Sequence, residues 1–357
     1  MIHADAIPFT PIKESRLSQV DMQHLEFGKY ISDHMYYAHY DHGKWNDIAI
    51  RPFAELSLSP SILGLHYGQT VFEGMKAFRR PDGQITIFRM DKHYQRFLAS
   101  LERMCMPPVP EDLFYDGMSR LISIDAAWVP EAEGSSLYIR PFMFASEARF
   151  GVKVAEEYLF IIFTGPVGPY YAKPLRVKVE LDYVRAAKGG TGYAKCGGNY
   201  GGSYYPTQKA KEEGFDQVIW TDGRAHEFIE ESGTMNLMFV IDGKVVTPPT
   251  SDSILDGVTR DSILTIAADL GYEAEVRPLS IEELENALKA GRLQEAFGAG
   301  TAAVVAPIAI INVHGHDYQL PSWDDSSFMM KAKHKLTHMR MGMEPDVHDW
   351  NTIISPM

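Results

Sequence analysis

The stretch 189–202 holds a single lysine, Lys195, among seven glycines. Glycine lets other groups approach the backbone closely, and a lysine that is partly withdrawn from water loses its proton more readily. An unprotonated amine is the group that forms an imine with a carbonyl compound. Lys195 is therefore a candidate Schiff-base lysine, although a glycine-rich stretch is also typical of an ordinary turn.

Two adjacent carboxylates, Glu230 and Glu231, interrupt an otherwise apolar stretch that reads as a β-hairpin. Neighbours on a strand point to opposite faces, so one of the two points inward if the other points out. An inward carboxylate is costly unless it meets a cation or a hydrogen-bond donor. The pair indicates either such a buried carboxylate or an ordinary surface pair at the end of a strand.

Two further segments could hold an anion. The residues Gly257-Val258-Thr259 begin a predicted helix, and the first free N–H groups of a helix attract phosphate. The turn 298–302 offers the Thr301 hydroxyl and free backbone N–H groups. Together with an imine-forming lysine and an inward carboxylate, they describe a pocket for pyridoxal phosphate. Taken singly, the first segment is better explained by an ordinary helix start, and the second can equally be an ordinary turn.

The elements that must position these groups are both helical and extended. Helical spacing predicts a helix from Asp91, as N-cap, to about Met104, and this helix carries Arg96. Apolar runs predict strands, among them 136–144 and 158–163. The fold class is therefore mixed α/β (α+β). The prolines and glycines of 165–174 predict a linker between a smaller domain, 1–164, and a larger domain, 175–357, that carries the lysine.

Composition narrows the class of protein. The 357 residues carry a net charge of −13, which argues against nucleic acid or an acidic membrane as a partner. Two cysteines, Cys105 and Cys196, form no CxxC pair, so we expect neither a disulfide framework nor a metal site. Neither a signal peptide nor a membrane-spanning stretch is predicted. We expect a soluble protein of the cytoplasm.

Several motifs occur together in one order along the chain. They are Leu65-His66-Tyr67, Phe72-Glu73-Gly74-Met75-Lys76-Ala77-Phe78, Leu137-Tyr138-Ile139-Arg140-Pro141, Lys195-Cys196-Gly197-Gly198-Asn199-Tyr200 and Glu231-Ser232-Gly233-Thr234-Met235-Asn236. In these motifs the sequence resembles the branched-chain amino acid aminotransferases, which are pyridoxal phosphate enzymes of fold type IV. The likeness runs from about Phe27 to about Trp350 and is strongest to the longer, animal-like form of the family.

The resemblance implies roles toward pyridoxal phosphate. Lys195 forms the imine and moves the proton between the substrate Cα and the cofactor, and Glu231 pairs with the ring nitrogen. Tyr200 hydrogen-bonds the phenolic oxygen of the ring, and Leu255 packs against the ring. The phosphate is held by Arg96, by the backbone of Val258 and Thr259, and by the Thr301 hydroxyl. The remaining residues implied in cofactor binding are Thr234, Asn236 and Gly257.

The resemblance also implies the reaction, a ping-pong transamination between branched-chain L-amino acids and 2-oxoglutarate. Arg140 receives the distal carboxylate of glutamate, and the backbone N–H groups of Thr301 and Ala302 receive the α-carboxylate. The apolar substrate pocket is formed by Tyr67, Phe72, Tyr138 and Tyr170. The family forms homodimers, in which the residues that reach the neighbouring site are Tyr67, Phe150 and Val152.

One departure from the animal members concerns redox control. Their CxxC motif falls here on Ala303 and Ala306, so thiol–disulfide control is not expected, and Cys196 is expected to be a small buried filler. Two enzymes of the same fold, D-amino acid aminotransferase and aminodeoxychorismate lyase, are typically shorter and lack this N-terminal block. A relative without catalytic activity is disfavoured, because Lys195 and Glu231 in an unused pocket would only cost stability.

Overall fold

A computed structural model describes residues 7–171 and 173–357, so residues 1–6 of the predicted first domain and Ala172 of the predicted linker lie outside it. The chain divides into two compact units. The first comprises the described residues up to Tyr170, with Ala194–Gly198 and His338–Met357. The second comprises Tyr171–Tyr193 and Asn199–Thr337. The change of unit after Tyr170 falls inside the predicted linker, but the first unit is the longer one and Lys195 belongs to it.

The strands are given in chain order. They are β1 (His34–Asp41), β2 (Lys44–Pro52), β3 (Thr70–Phe72), β4 (Met75–Arg79), β5 (Ile85–Phe88), β6 (Ser136–Ala145), β7 (Glu157–Val167), β8 (Leu175–Val179), β9 (Gln217–Thr221), β10 (Ile229–Ser232), β11 (Met235–Ile241), β12 (Lys244–Thr247), β13 (Ala274–Val276), β14 (Leu293–Gly300), β15 (Val304–Val313), β16 (His316–Gln319) and β17 (Asn351–Ile354).

The helices alternate with these strands, which confirms the mixed α/β class. They are α1 (Leu63–His66), α2 (Met90–Arg103), α3 (Glu111–Ile124), α4 (Gly197–Gly201), α5 (Tyr204–Glu212), α6 (Val258–Asp269), α7 (Ile281–Lys289) and α8 (Phe328–Arg340). Within the described residues, none of these helices is long and apolar enough to cross a bilayer.

The first unit is built on an eight-stranded sheet with the order β17-β5-β4-β6-β7-β1-β2, in which β3 pairs with β6. All of its registered pairs are antiparallel. Helix α2 buries Tyr94, Phe97 and Leu101 in the core of this unit, as the helical spacing predicts. This packing fixes the position of α2 and therefore of the backbone that carries Arg96.

The second unit is built on a nine-stranded sheet with the order β10-β9-β8-β15-β14-β11-β12-β13, and β16 pairs with β15. An additional pairing between β10 and β11 closes six of these strands into a ring. Every residue of β10 and β11 is buried. Both adjacent glutamates, Glu230 and Glu231, are therefore inside the protein, and the alternative of a surface pair is wrong.

Two local predictions require correction. Asp91 does not cap α2, because the N-cap is Arg89, in the left-handed region at a φ of 52°, and Asp91 lies in the first turn. The predicted linker is partly a strand, since β7 extends to Val167 and thus includes the first residues of 165–174. The strands predicted over 136–144 and 158–163 are confirmed as β6 and β7.

Candidate active site

Lys195 is fixed through its backbone in the first unit. The Phe72 N–H donates to the Lys195 carbonyl at 3.0 Å, and the Lys195 N–H donates to the Ser100 hydroxyl of α2 at 2.9 Å. The Lys195 side chain is half-buried, and its Nζ lies 4.9 Å from the centre of the Phe72 ring. Hydrogen bonds to a strand and a helix therefore fix the backbone from which the Lys195 side chain extends to the Phe72 ring.

Arg96 is held by a buried carboxylate that the sequence analysis assigned no role. Its Nε and Nη2 donate to the two oxygens of Glu73, each at 2.7 Å. Glu73 is fully buried, and its second oxygen also contacts Nδ1 of buried His93 at 3.0 Å. The Ser100 hydroxyl donates to the Arg96 carbonyl at 2.9 Å, so one serine contacts the backbone of both Arg96 and Lys195.

The charges in this group are well defined. Burial alone would raise the pKa of Glu73, but the charge and hydrogen bonds of Arg96, and the hydrogen bond of His93, hold that pKa well below its usual range. Burial lowers the pKa of His93, although the hydrogen bond with Glu73 opposes this change. The lowered pKa favours a neutral imidazole. Glu73 is thus an anion that fixes the orientation of the Arg96 guanidinium, and His93 completes its hydrogen bonding.

Four of the predicted substrate residues, three on the sheet and Tyr170 beyond the end of β7, are brought together in the first unit. Arg140 lies with its guanidinium carbon 4.7 Å from the centre of the Phe72 ring and 5.2 Å from that of Tyr138. Its Nη2 donates to the Tyr138 hydroxyl at 3.0 Å. Phe27, which was not predicted as a site residue, connects Tyr138 and Tyr170, with ring centres 5.0 and 4.8 Å away. The result is an aromatic group with one cation.

Gly74 explains how the Tyr138 ring is accommodated. An added Cβ at Gly74 would lie 2.0 Å from the Tyr138 hydroxyl oxygen, closer than any real contact. Only glycine therefore permits Tyr138 to occupy this position beside Arg140. In the motif Glu73-Gly74-Met75, the glycine thus leaves space for the Tyr138 ring, while the glutamate binds Arg96.

The three residues predicted to reach a neighbouring subunit are exposed. Tyr67 is 46% exposed, Phe150 is 94% exposed and Val152 is 82% exposed. The ring of His66 lies 4.4 Å from Tyr67 and 6.4 Å from Phe150, measured between ring centres. These side chains therefore lie on the surface of the first unit rather than in its interior, and the His66 ring lies close to two of them.

In the second unit, the inward carboxylate is Glu231. Its Oε1 accepts from the Leu255 N–H at 2.9 Å and from the Asn236 side-chain amide at 3.2 Å. Its Oε2 lies 2.8 Å from Nε of Arg185, which is largely buried. Two hydrogen bonds and the nearby charge of Arg185 favour the ionised form of the carboxylate. Arg185 was missed by the sequence analysis, because it precedes the glycine-rich stretch in a segment without a recognisable pattern.

The predicted anion-holding segments of the second unit lie near this carboxylate. A Cβ at Gly257 would lie 1.8 Å from the Asn236 side-chain oxygen, so the start of α6 lies directly beside Asn236. Asn236 on β11 pairs with Ala299 on β14, and a Cβ on Gly300 would lie 4.0 Å from the Thr234 carbonyl oxygen. The β10–β11 and β14–β15 turns therefore lie at the same end of the sheet.

The remaining predicted residues are placed as follows. Val258 and Thr259 are buried in the first turn of α6, whose earliest N–H groups have no partner within the helix. Thr301 and Ala302 form the turn between β14 and β15, and Tyr200 lies in the short helix α4. Cys196 is buried in the first core, which confirms its role as a filler. Lys195 and Glu231 belong to different compact units.

Comparison with known proteins finds relatives that are described as aminotransferases or transaminases. The family model described as amino-transferase class IV matches residues 70–311. A probable branched-chain-amino-acid aminotransferase of Staphylococcus epidermidis is 42% identical over 343 residues, covering 95% of this chain and 96% of that protein. Branched-chain-amino-acid transaminase 1 of Bacillus subtilis is 42% identical over 335 residues, covering 92% of this chain and 94% of that protein.

Solved structures share the fold. The branched-chain amino acid aminotransferase of Escherichia coli superimposes with a TM-score of 0.73 at 26% identity, covering 89% of this chain and 98% of that one. The T.th. branched-chain amino acid aminotransferase, complexed with N-(5'-phosphopyridoxyl)-L-glutamate, gives a TM-score of 0.69 at 25% identity. That superposition covers 88% of this chain and 97% of the other.

Proposed function

The chain belongs to the branched-chain aminotransferases of the class IV aminotransferase family, and we propose that it transfers the amino group of leucine, isoleucine or valine to 2-oxoglutarate in a ping-pong reaction. The observation that carries this proposal is the group around Phe72, where the Lys195 amine and the Arg140 guanidinium both lie against one aromatic ring. A reactive amine, an apolar wall and a fixed cation are what a substrate with an apolar or an acidic side chain requires.

We propose pyridoxal phosphate as the cofactor. The donor set fits it, because the chain offers the Lys195 amine, the oriented guanidinium of Arg96, the ionised carboxylate of Glu231 and the N-terminus of α6. The complex of the T.th. relative with a phosphopyridoxyl compound supports the same group. When bound, pyridoxal phosphate supplies an electron-withdrawing ring that stabilises negative charge at the substrate Cα.

The roles of the residues follow from their chemistry. Lys195 would bond to the cofactor and then act as the base that moves the substrate Cα proton. Glu231 would face the ring nitrogen, while Arg96 would bind the phosphate. The other groups proposed for the phosphate are Val258, Thr259 and the Thr301 hydroxyl. Those proposed around the ring are Tyr200, Thr234, Asn236, Leu255 and Gly257.

The substrate side chain would occupy the aromatic group of Phe72, Tyr138 and Tyr170. Arg140 is the cation within this group, and the hydrogen bond to Tyr138 orients its guanidinium. A branched aliphatic side chain would contact the rings, while the distal carboxylate of glutamate would meet Arg140. The α-carboxylate would be bound by the backbone N–H groups of Thr301 and Ala302. One site could thus accept both substrates in turn.

The exposed apolar surface formed by Tyr67, Phe150 and Val152 supports a homodimer. A phenylalanine that is 94% exposed, followed two residues later by a valine that is 82% exposed, is unusual for a surface that faces only water. We propose that this surface meets a second copy of the chain and completes its substrate pocket. We further propose a cytoplasmic location, which the two free thiols of Cys105 and Cys196 support.

The absorption spectrum of the purified protein tests the proposal. A visible cofactor band that disappears on addition of L-leucine alone, and returns with 2-oxoglutarate, is expected from two separate half-reactions. Lys195→Ala should abolish turnover. A band that responds to D-alanine but not to L-leucine would favour the D-amino acid aminotransferase. Absence of a band after reconstitution with pyridoxal phosphate would contradict the proposed cofactor and function.

A further inference from the structure

Strand β10 carries two buried carboxylates in succession. Glu230 is 7% exposed and Glu231 is 3% exposed, although their side chains point to opposite faces of the strand. Ionising both would place two negative charges next to each other in the interior of the second unit. Such an arrangement is stable only if cations compensate both charges or if one carboxyl keeps its proton.

The partners of the two carboxylates are unequal. Glu231 accepts two hydrogen bonds, from Leu255 and Asn236, and forms an ion pair with Arg185. Glu230 has a hydrogen bond from the Ser253 hydroxyl to its Oε1, and its Oε2 has no hydrogen-bond partner in the described part of the chain. This distribution of donors suits an anion at Glu231 and a neutral carboxyl group at Glu230.

Arg185 contacts both Glu231 and the residue that hydrogen-bonds Glu230. Its Nε contacts Glu231 at 2.8 Å, while its Nη2 donates to the carbonyl oxygens of Ser253 at 2.5 Å and Gly192 at 3.0 Å. Ser253 is the residue whose hydroxyl bonds Glu230. A charge on Glu230 would therefore attract the same guanidinium that Glu231 uses. The two carboxyl groups compete for one cation.

The electrostatic surroundings of Glu230 agree with a neutral group. Burial raises its pKa most, and the neighbouring charges of Glu231 and Asp222 raise it further. The Ser253 hydrogen bond and the Arg185 charge oppose that rise without cancelling it. Among the described residues, these four are the charged or hydrogen-bonding groups that act on Glu230.

We propose that Glu230 is a positioning residue that keeps a proton and thereby leaves Arg185 to Glu231 alone. This inference rests on the proposed function, in which Glu231 faces the ring nitrogen of the cofactor. When Glu230 loses its proton at higher pH, its charge draws Arg185 away and repels Glu231. The contact between Glu231 and the cofactor then weakens, so the strand contains its own pH-sensitive control of cofactor binding.

The test compares the dissociation constant of pyridoxal phosphate for the wild type and for Glu230→Gln across the range from about pH 5 to about pH 10. Glutamine keeps the shape of a neutral carboxyl but has no proton to lose. The ratio of the wild-type constant to the variant constant should be level at low pH. It should then rise as Glu230 ionises, by at most about tenfold per pH unit.

The exposed Glu227 provides the matched control, because Glu227→Gln removes the same charge close to β10. Its ratio to the wild type should stay level with pH. A ratio for Glu230→Gln that also stays level would overturn the inference while leaving the cofactor in place. Loss of the cofactor band in every protein, including the wild type, would instead overturn the proposed function.

A second variant decides the matter if Glu230→Gln does not fold. Ser253→Ala removes the hydrogen bond that favours ionised Glu230, so the pH at which cofactor binding weakens should move upward relative to the wild type. The position of the visible cofactor band, followed over the same pH range, should move in step with it. An unchanged or lowered transition pH in Ser253→Ala would contradict the inference.

Discussion

Arg96 and Glu73 form a buried ion pair with two hydrogen bonds of 2.7 Å, one to each carboxylate oxygen. A guanidinium held at two points cannot rotate, so the rest of its hydrogen-bonding edge is aimed in one direction. The family resemblance assigns Arg96 to the cofactor phosphate, and the ion pair explains how its orientation is maintained. We therefore predict that Glu73 positions Arg96 for the proposed phosphate through this ion pair.

The first prediction concerns Glu73→Gln. Removing one partner of a buried ion pair leaves an uncompensated charge, so the free energy of unfolding should fall by about 3 kcal/mol. Affinity for pyridoxal phosphate should fall as well, because Arg96 loses its fixed orientation. Urea unfolding monitored by fluorescence and titration of the cofactor band measure the two effects. Glu102→Gln, which removes an exposed charge on α2, the helix that carries Arg96, should change neither quantity.

The ion pair between Glu73 and Arg96 also predicts how stability changes with pH. The folded-state pKa of Glu73 is lower than the unfolded one, so its stabilising contribution is complete above the unfolded pKa of about 4.3 and is lost as pH falls toward the folded pKa. The difference in stability between the wild type and Glu73→Gln should therefore shrink on acidification. A difference that stays constant down to about pH 3 would show that Glu73 is not held as an anion.

A second prediction addresses dual substrate recognition through Tyr138→Phe. The hydroxyl of Tyr138 accepts a hydrogen bond from Arg140, and its loss should misorient the guanidinium without removing the apolar wall. KM for 2-oxoglutarate should rise about two- to tenfold, which is the effect of one lost hydrogen bond, while KM for L-leucine should stay close to the wild-type value. Equal rises for both substrates would argue against this role of Arg140. Tyr204→Phe, at a residue that is 71% exposed, is the control.

The third prediction concerns Lys76, a buried lysine on β4. Burial, with a smaller effect of the Arg340 charge, lowers its pKa to about 7. The unfolded chain then binds more protons than the folded one between about pH 7 and about pH 10, so stability should rise with pH there, by at most about 1.4 kcal/mol per pH unit. Lys76→Met should not show this rise, whereas Lys44→Met, at an exposed position on β2, should retain it. Parallel slopes in all three proteins would refute the shifted pKa.

Local sequence signals predicted local structure well. The strands predicted over 136–144 and 158–163 correspond to β6 and β7, and the helix predicted to carry Arg96 is α2. In each case the pattern that predicts the element lies within the element itself. A lone glutamate in an apolar motif, such as Glu73, was a signal that could have indicated a buried cation partner.

Long-range contacts escaped prediction for a physical reason. Lys195 was assigned to the second domain because it follows the linker, but backbone hydrogen bonds with Phe72 and Ser100 tie it to the first unit. Arg185 and Glu231 lie far apart in sequence, and their pairing depends on how distant segments pack. Neither contact can be predicted from the composition of the chain or from the periodicity of its apolar residues. The roles of the site residues toward cofactor and substrates stay predictions.

The fourth prediction tests the exposed apolar surface with Phe150→Asp. If this surface meets a second copy of the chain, a charge at a residue that is 94% exposed should leave folding unchanged and raise the dimer dissociation constant at least about tenfold. Sedimentation velocity over a range of protein concentrations measures that constant. Val347→Asp is the matched control, because Val347 is an apolar residue of the same unit that is 68% exposed and lies outside this surface. Equal dissociation constants for the two variants, or a monomeric wild type, would show that Phe150 does not lie in a dimer interface.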